Sequence, residues 1–321
     1  MKKLFFKMFL YTVLIVMILE VLVRVLHLTK DYPARFVDER GVERWVPNQE
    51  GYAVTGNRRQ NFSKFHINSS GYNSYRDFKP SKERTEIAIV GDSYIEGFHQ
   101  DYDNSIGKKI ESKLHDVDVY EIGYAGYDLA DQLHLIHQYP KFFALIDYVI
   151  IGLDFNTDLS RGTYEVVQDR MRLESAKFKA MRQIKLLVYF QNIGAFDAPR
   201  ELVRNLLSGS EPVVVKKTAE EIQLQEVQLQ QQRFENFKRL VAVYGFDKER
   251  FVFLIDTSKT PQLLLDYLHE QGYRYIDYSE RLNQSVLPTT LIYDQHWNNH
   301  GRSIVASLIA DYYKKNRLCC L

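Results

Sequence analysis

The chain has 321 residues, with 42 Lys+Arg against 41 Asp+Glu for a formal net charge of +1, and 45% of its residues fall in the hydrophobic set. That balance excludes the concentrated basic excess of a nucleic-acid binder, and 26% charged with 13% aromatic residues excludes a disordered or collagenous chain. The only cysteines, Cys319 and Cys320, are adjacent at the C-terminus, so they build no disulfide framework and no Cys-based zinc site, and they miss the prenylation spacing.

From Met8 to Leu28 the sequence reads MFLYTVLIVMILEVLVRVLHL, with Glu20 and Arg24 its only Asp, Glu, Lys or Arg residues. At about 1.5 Å per residue this run spans roughly the 30 Å of a bilayer core. The expectation is an N-terminal transmembrane signal anchor over residues 1–28. A cleaved signal peptide is the rival reading, because the uncharged stretch Met8–Leu19 follows Lys2, Lys3 and Lys7. No small-residue cleavage site follows, however, since Val25, Leu26, His27, Leu28, Thr29 and Lys30 are too bulky for one. A buried core helix is disfavoured because the segment is apolar all round. Glu20 is costly in lipid, but Arg24 one turn on can pair with it. Basic residues flank both ends of the run and do not choose an orientation.

Residues 29–80 carry turn signals such as Pro47-Asn48 and Ser70-Gly71 and no long helical period, which predicts an approach segment of short strands and loops. The main domain, 81–321, opens at Glu86–Val90, a short β-branched run that fits a buried parallel strand. A helix at about Ser105–His115, a strand at Val117–Ile122, a helix at about Leu129–Gln138 and a strand at Tyr148–Leu153 follow. This alternation predicts an α/β fold with right-handed crossovers and a parallel sheet covered on both faces. The alternation then breaks for a mostly helical insertion at about 159–248, in which Phe234, Phe237 and Val241 keep helical spacing. Order resumes with a strand at Arg250–Ile255, a helix at about Gln262–Gln271, a strand at Tyr275–Tyr278 and a helix from about Arg302 to Lys314. Five strands with one insertion make a single doubly wound domain.

In open parallel sheets the reactive groups gather beyond the C-terminal strand ends. Four segments stand there: Gly91-Asp92-Ser93, Gly123-Tyr124-Ala125-Gly126, Asp154-Phe155-Asn156-Thr157-Asp158, and Asp294-Gln295-His296 just before the last helix. They offer a hydroxyl, a turn glycine, a carboxamide, an imidazole and a carboxylate, which are the parts of a serine acyl-transfer site. A serine hydroxyl is a poor nucleophile at neutral pH, so it needs a histidine base whose tautomer an acid holds. Ser93, His296 and Asp294 fit those roles. The developing oxyanion needs preorganised donors, for which the backbone N–H groups of Ser93 and Gly126 and the carboxamide of Asn156 are the candidates.

These four segments, in this order, resemble the SGNH (GDSL-type) hydrolase superfamily. Gly91-Asp92-Ser93 is similar to its nucleophile motif, Gly126 to its second-block glycine, Asn156 to its third-block asparagine and His296 to its last-block histidine. The resemblance implies a flavodoxin-like three-layer α/β/α sandwich with a five-stranded parallel sheet over about Glu86–Lys314. It also implies ester hydrolysis or O-acyl transfer through an acyl-enzyme, on an O-acyl and chiefly O-acetyl ester of a cell-surface carbohydrate. The usual last block D-x-x-H is here Asp294-Gln295-His296-Trp297, which resembles the D-x-H-W of polysaccharide O-acetyltransferase relatives such as the alginate acetylation proteins. The third block, G-x-N-D in the family, is here Asp154-Phe155-Asn156-Thr157-Asp158. The anchor followed by Asn68-Ser69-Ser70-Gly71-Tyr72 is similar to membrane-anchored bacterial members, which implies an extracytoplasmic catalytic domain. No cofactor, metal or nucleic-acid partner is expected. Lipase or thioesterase action, with the insertion as an apolar lid, and a catalytically silent glycan-binding or assembly protein are the competing readings.

Plainer readings stand beside these. Ser93 would otherwise be a helix N-cap, and His300 competes with His296 as the base. His134 and His137 share a helix face without an evident third ligand, so they read as structural rather than metal-binding. The basic stretch Arg170–Lys185 is interspersed with Glu174 and preceded by Glu165 and Asp169, and reads as a solvated helix face before it reads as a headgroup or glycan contact. The sequence contains no G-x-S-x-G elbow, Walker loop or G-x-G-x-x-G.

Overall fold

The computed structural model describes residues 1–56, 59–198, 200–201 and 218–318, so the cysteine pair at 319 and 320 lies outside the described residues. Two compact units divide the chain: Met1–Tyr32, Gly51–Ser63 and Val167–Lys216 form one, and Pro33–Glu50, Lys64–Val166 and Lys217–Leu321 the other. The approach segment 29–80 and the insertion are each shared between them, because contacts rather than chain order define the units.

The first unit is built on α1 (Lys2–Val25), an apolar helix that is almost wholly exposed. It is long and apolar enough to cross a membrane. Glu20 is paired, as expected, with Arg24 at 2.6 Å. It also accepts the backbone N–H groups of Lys185 and Leu186, at 3.0 and 2.7 Å, at the start of the helix Lys185–Asn192. A carboxylate there satisfies donors that a helix N-terminus leaves unmade. The basic stretch forms the helix Ala176–Gln183, where Lys179 and Arg182 both reach Glu174, at 3.4 and 3.6 Å.

The second unit holds the sheet. Its strands are β1 (Thr85–Gly91), β2 (Val117–Gly123), β3 (Tyr148–Leu153), β4 (Phe251–Ile255) and β5 (Tyr275–Asp277), all parallel, in the order β2-β1-β3-β4-β5. Alternate residues of β1 feed two cores: Ala88 and Val90 pack on one face and Ile87 and Ile89 on the other. Helices Leu129–Gln138 and Ala219–Tyr244 contribute to the first core, and helices Ile106–Glu111 and Asn299–Leu318 to the second. The result is a three-layer α/β/α sandwich, because strands apolar on both faces need cover on both. Phe234, Phe237 and Val241 are buried on the long helix, so that part of the insertion packs on the sheet through its apolar stripe while its Gln-rich first half stays exposed. His134 stacks on Tyr164 at 3.8 Å between centroids, a structural contact of the kind expected.

The short helices Pro140–Phe143 and Ser279–Asn283 and one hairpin add to the expected elements. Residues Thr290–Leu291 and Asp294–Trp297 form a short antiparallel hairpin, where a loop before the last helix was expected. No helical or alternating run of useful length marks it, so only pairing with a neighbour reveals it.

Candidate active site

Strand β1 is flanked by β2 on one side and β3 on the other, so the chain reverses its direction of growth across the sheet there and leaves a crevice beyond the carboxyl end of β1. Ser93 lies at that end, as the first residue of the one-turn helix Ser93–Glu96. Asp92 caps this helix by accepting the Tyr94 N–H at 2.9 Å, and burial pushes its carboxyl above the ordinary range despite that bond. Gly123 ends β2 directly beneath the helix. A Cβ there would lie 2.0 Å from the Glu96 nitrogen, so only glycine lets the nucleophile helix sit this close.

The hairpin brings His296 to Ser93 across 203 residues of chain: the Ser93 hydroxyl and His296 Nε2 are 2.7 Å apart. The His296 Nδ1–H hydrogen-bonds Asp294 Oδ1, and the His296 backbone N–H donates to the same oxygen at 3.0 Å. The spacing of two explains this reach. Residues i and i+2 of a strand point to one face, so a strand carrying D-x-H sets acid and imidazole side by side. This arrangement places the proton on Nδ1 and leaves the Nε2 lone pair for the Ser93 O–H. Burial works to raise the Asp294 carboxyl, but the bonds from His296 and the proximity of His99 hold it below its ordinary value. His300 does not compete, since its Nε2 lies 3.0 Å from Ser285 Oγ and it lines a separate cavity.

A cavity of about 770 Å³ opens beside Ser93. Gly126, at φ +90°, lines it together with Tyr127, Asp154, Asp158, Asp256 and Trp297. Asn156 is not among its lining residues. Its Nδ2–H donates to the Lys259 carbonyl at 3.5 Å and its Oδ1 accepts from Arg233 at 3.2 Å, so both ends of the carboxamide are engaged. The Asn156 backbone N–H bonds Asp154 Oδ1 at 2.7 Å and the Asp154 N–H bonds Asp158 Oδ2 at 2.8 Å, a local turn that presents carboxylates rather than the amide. Burial, reinforced by the Asp92 charge, holds the Asp158 carboxyl well above its ordinary value.

Three residues that sequence reasoning did not single out shape the site. Tyr94 contacts the His296 ring at 4.6 Å and the Trp297 ring at 4.8 Å. Glu96 is fully enclosed: its Oε1 accepts the Trp45 indole N–H at 2.7 Å and the Ala125 N–H at 3.0 Å, tying the nucleophile helix to the turn that carries Gly126. Burial pushes its carboxyl up to about 7. His99 meets both Asp294 and His296. Adjacency to Ser93 could have pointed to Tyr94, whereas the partners of Glu96 and His99 are far off in sequence.

No protein-family profile and no curated protein matches the chain. Among solved structures it is similar to a member of the lipolytic protein G-D-S-L family from Veillonella parvula, at 11% identity over 72% of this chain and 98% of that one, with a TM-score of 0.40. It is similar also to a lipase/acylhydrolase from Enterococcus faecalis, at 13% identity over 72% and 96% with a TM-score of 0.38. A carbohydrate acetylesterase family member from Sinorhizobium meliloti is similar at 11% identity over 72% and 98%, with a TM-score of 0.34.

Proposed function

We propose that the chain is a membrane-anchored serine esterase or O-acyltransferase of the SGNH type, acting on O-acyl esters of cell-surface carbohydrate. One observation carries the reading: Ser93, His296 and Asp294 form a continuous hydrogen-bonded chain at the mouth of a cavity, at the switch point of a parallel sheet. In this reaction Ser93 Oγ attacks the ester carbonyl while His296 Nε2 takes its proton, and Asp294 stabilises the imidazolium that results. The tetrahedral oxyanion is received by the backbone at Ser93 and Gly126. Asn156 joins them only if its carboxamide leaves Lys259 and Arg233 when substrate binds. Collapse returns the proton to the leaving alcohol and leaves an acyl-Ser93 ester. Water or a sugar hydroxyl then attacks that ester with His296 again as base.

The cavity supports a carbohydrate ester over a long acyl chain, because Asp154, Asp158, Asp256 and Tyr278 present hydrogen-bonding groups suited to sugar hydroxyls. The apolar helix α1, followed by no small-residue cleavage site, supports retention as an anchor, and the resemblance to membrane-anchored bacterial members is what favours a catalytic unit outside the cytoplasm.

A serine-directed fluorophosphonate is expected to label the full-length protein in detergent and to leave Ser93→Ala unlabelled. Equal labelling of the two, or none of either, would sink the mechanism. Mass analysis of surface glycans from cells with wild type or Ser93→Ala reads the substrate, as a difference in O-acetyl content.

A further inference from the structure

We propose that His99 is a positioning residue of this site, which holds the plane of the Asp294 carboxylate and through it the catalytic imidazole. The proposal rests on the reading of Ser93, His296 and Asp294 just given.

The two oxygens of Asp294 are divided between two histidines. Oδ1 takes both bonds from His296, and Oδ2 stands 3.1 Å from His99 Nε2. An ionised carboxylate carries no proton, so the N–H or charge in this contact belongs to His99. The His99 ring also lies against the His296 ring, with centroids 3.9 Å apart and planes 20° from parallel. His99 therefore meets the acid at ion-pair distance and the base through a ring contact.

The local structure explains why such a restraint is needed. Asp294 and His296 share a four-residue strand that pairs on one side only, next to Ile292 and Tyr293, which are 90% and 61% exposed. A carboxylate bonded only to its own strand neighbour can swivel about its terminal torsion, which is broad. His99 comes from the other arm of the site. The nucleophile helix ends at Gly97, in the left-handed region at φ +72°, and the chain turns there to bring His99 back over the hairpin. The groups facing His296 are Ser93, Tyr94, His99 and Asp294, with the Asp92 carboxyl near enough to sense its charge. Among these, His99 is the one that meets Asp294 from outside the hairpin.

The test uses the full-length chain in detergent and p-nitrophenyl acetate, reading kcat and KM separately, with fluorophosphonate labelling alongside. His99→Phe keeps a ring against His296 and removes the donor; His99→Gln keeps a donor and removes the ring. His99→Phe is expected to lower kcat about 10²-fold with KM nearly unchanged, the cost of a misplaced catalytic group. Without His99 the Asp294 carboxyl loses one of the neighbours that hold it low. His99→Gln should recover most of kcat. A His99→Phe enzyme with wild-type kcat overturns the proposal. So does an equal loss in both variants that tracks a fall in melting temperature. A wild type that neither labels nor hydrolyses removes the hydrolase reading and this role with it, whereas a labelled, active wild type with an unaffected His99→Phe removes this role alone.

Discussion

Ser93 follows a seven-residue strand that is buried from Glu86 to Gly91 and paired on both sides, whereas His296 lies on a four-residue strand held by two pairings to one neighbour. The nucleophile is thus placed by the sheet itself: any shift of Ser93 has to move β1 and the helix that Gly123 lets down onto β2. The base is placed by side chains, namely Asp294, Tyr94, His99 and the buried Trp297, which also meets Tyr278 at 5.2 Å. A rigid half and a half assembled from contacts make one site. The difference predicts that substitutions on the two arms separate into losses of stability and losses of turnover.

The largest effect is expected on the arm built from side chains. Asp294→Asn keeps the size of the group but removes its charge and upsets the tautomer of His296, so kcat should fall by about 10³- to 10⁴-fold while the melting temperature stays close to wild type. A loss smaller than tenfold would show that the hairpin orients His296 without its acid. On the sheet-built arm, Gly123→Ala should cost about 3 kcal/mol in urea unfolding, because the added Cβ meets the Glu96 backbone rather than a flexible side chain. Unchanged stability would mean that the nucleophile helix slides freely, and the contrast between the arms would collapse.

A smaller effect is expected where the two arms meet the N-terminal strands. Burial raises the Glu96 carboxyl to about 7 in the folded chain, against about 4.3 when unfolded. The folded state therefore binds the extra proton between these values, so the stability linked to Glu96 is full below the lower value and is lost as pH rises through 7. Glu96→Gln keeps an acceptor for Trp45 and Ala125 without the charge. It should raise stability at pH 8 relative to pH 5 by about 2 kcal/mol compared with wild type. Parallel pH dependences of wild type and variant in urea titrations would assign the titration to another group.

Much of the fold was legible from residue order, for local reasons. The strands at 117, 148, 251 and 275 are short apolar runs between turn signals, and their observed bounds fall within a residue of the expected ones. The helix Leu129–Gln138 was equally plain, with Asp128 and Asp131 forming a capping box at its start. The final helix begins three residues earlier than expected, at Asn299, because the apolar period does not reach its polar first turn. In the site, Ser93, His296 and Asp294 carry their own signals: a turn at a strand end, and an acid beside an imidazole and an aromatic residue. The orientation of Asn156 carried none, since a carboxamide in a turn can face either way and its partners, Lys259 and Arg233, are far along the chain.

The sequence by itself determined the elements, the apolar first helix and the residue types able to move an acyl group. Periodicity, turn chemistry and side-chain reactivity are properties of neighbouring residues. Only the tertiary structure decided that an Asp two residues before a His is well spaced, because that depends on their lying on a strand. It alone brought His99 and Glu96 to Ser93 and His296, because contacts close over distances in space that chain order does not record.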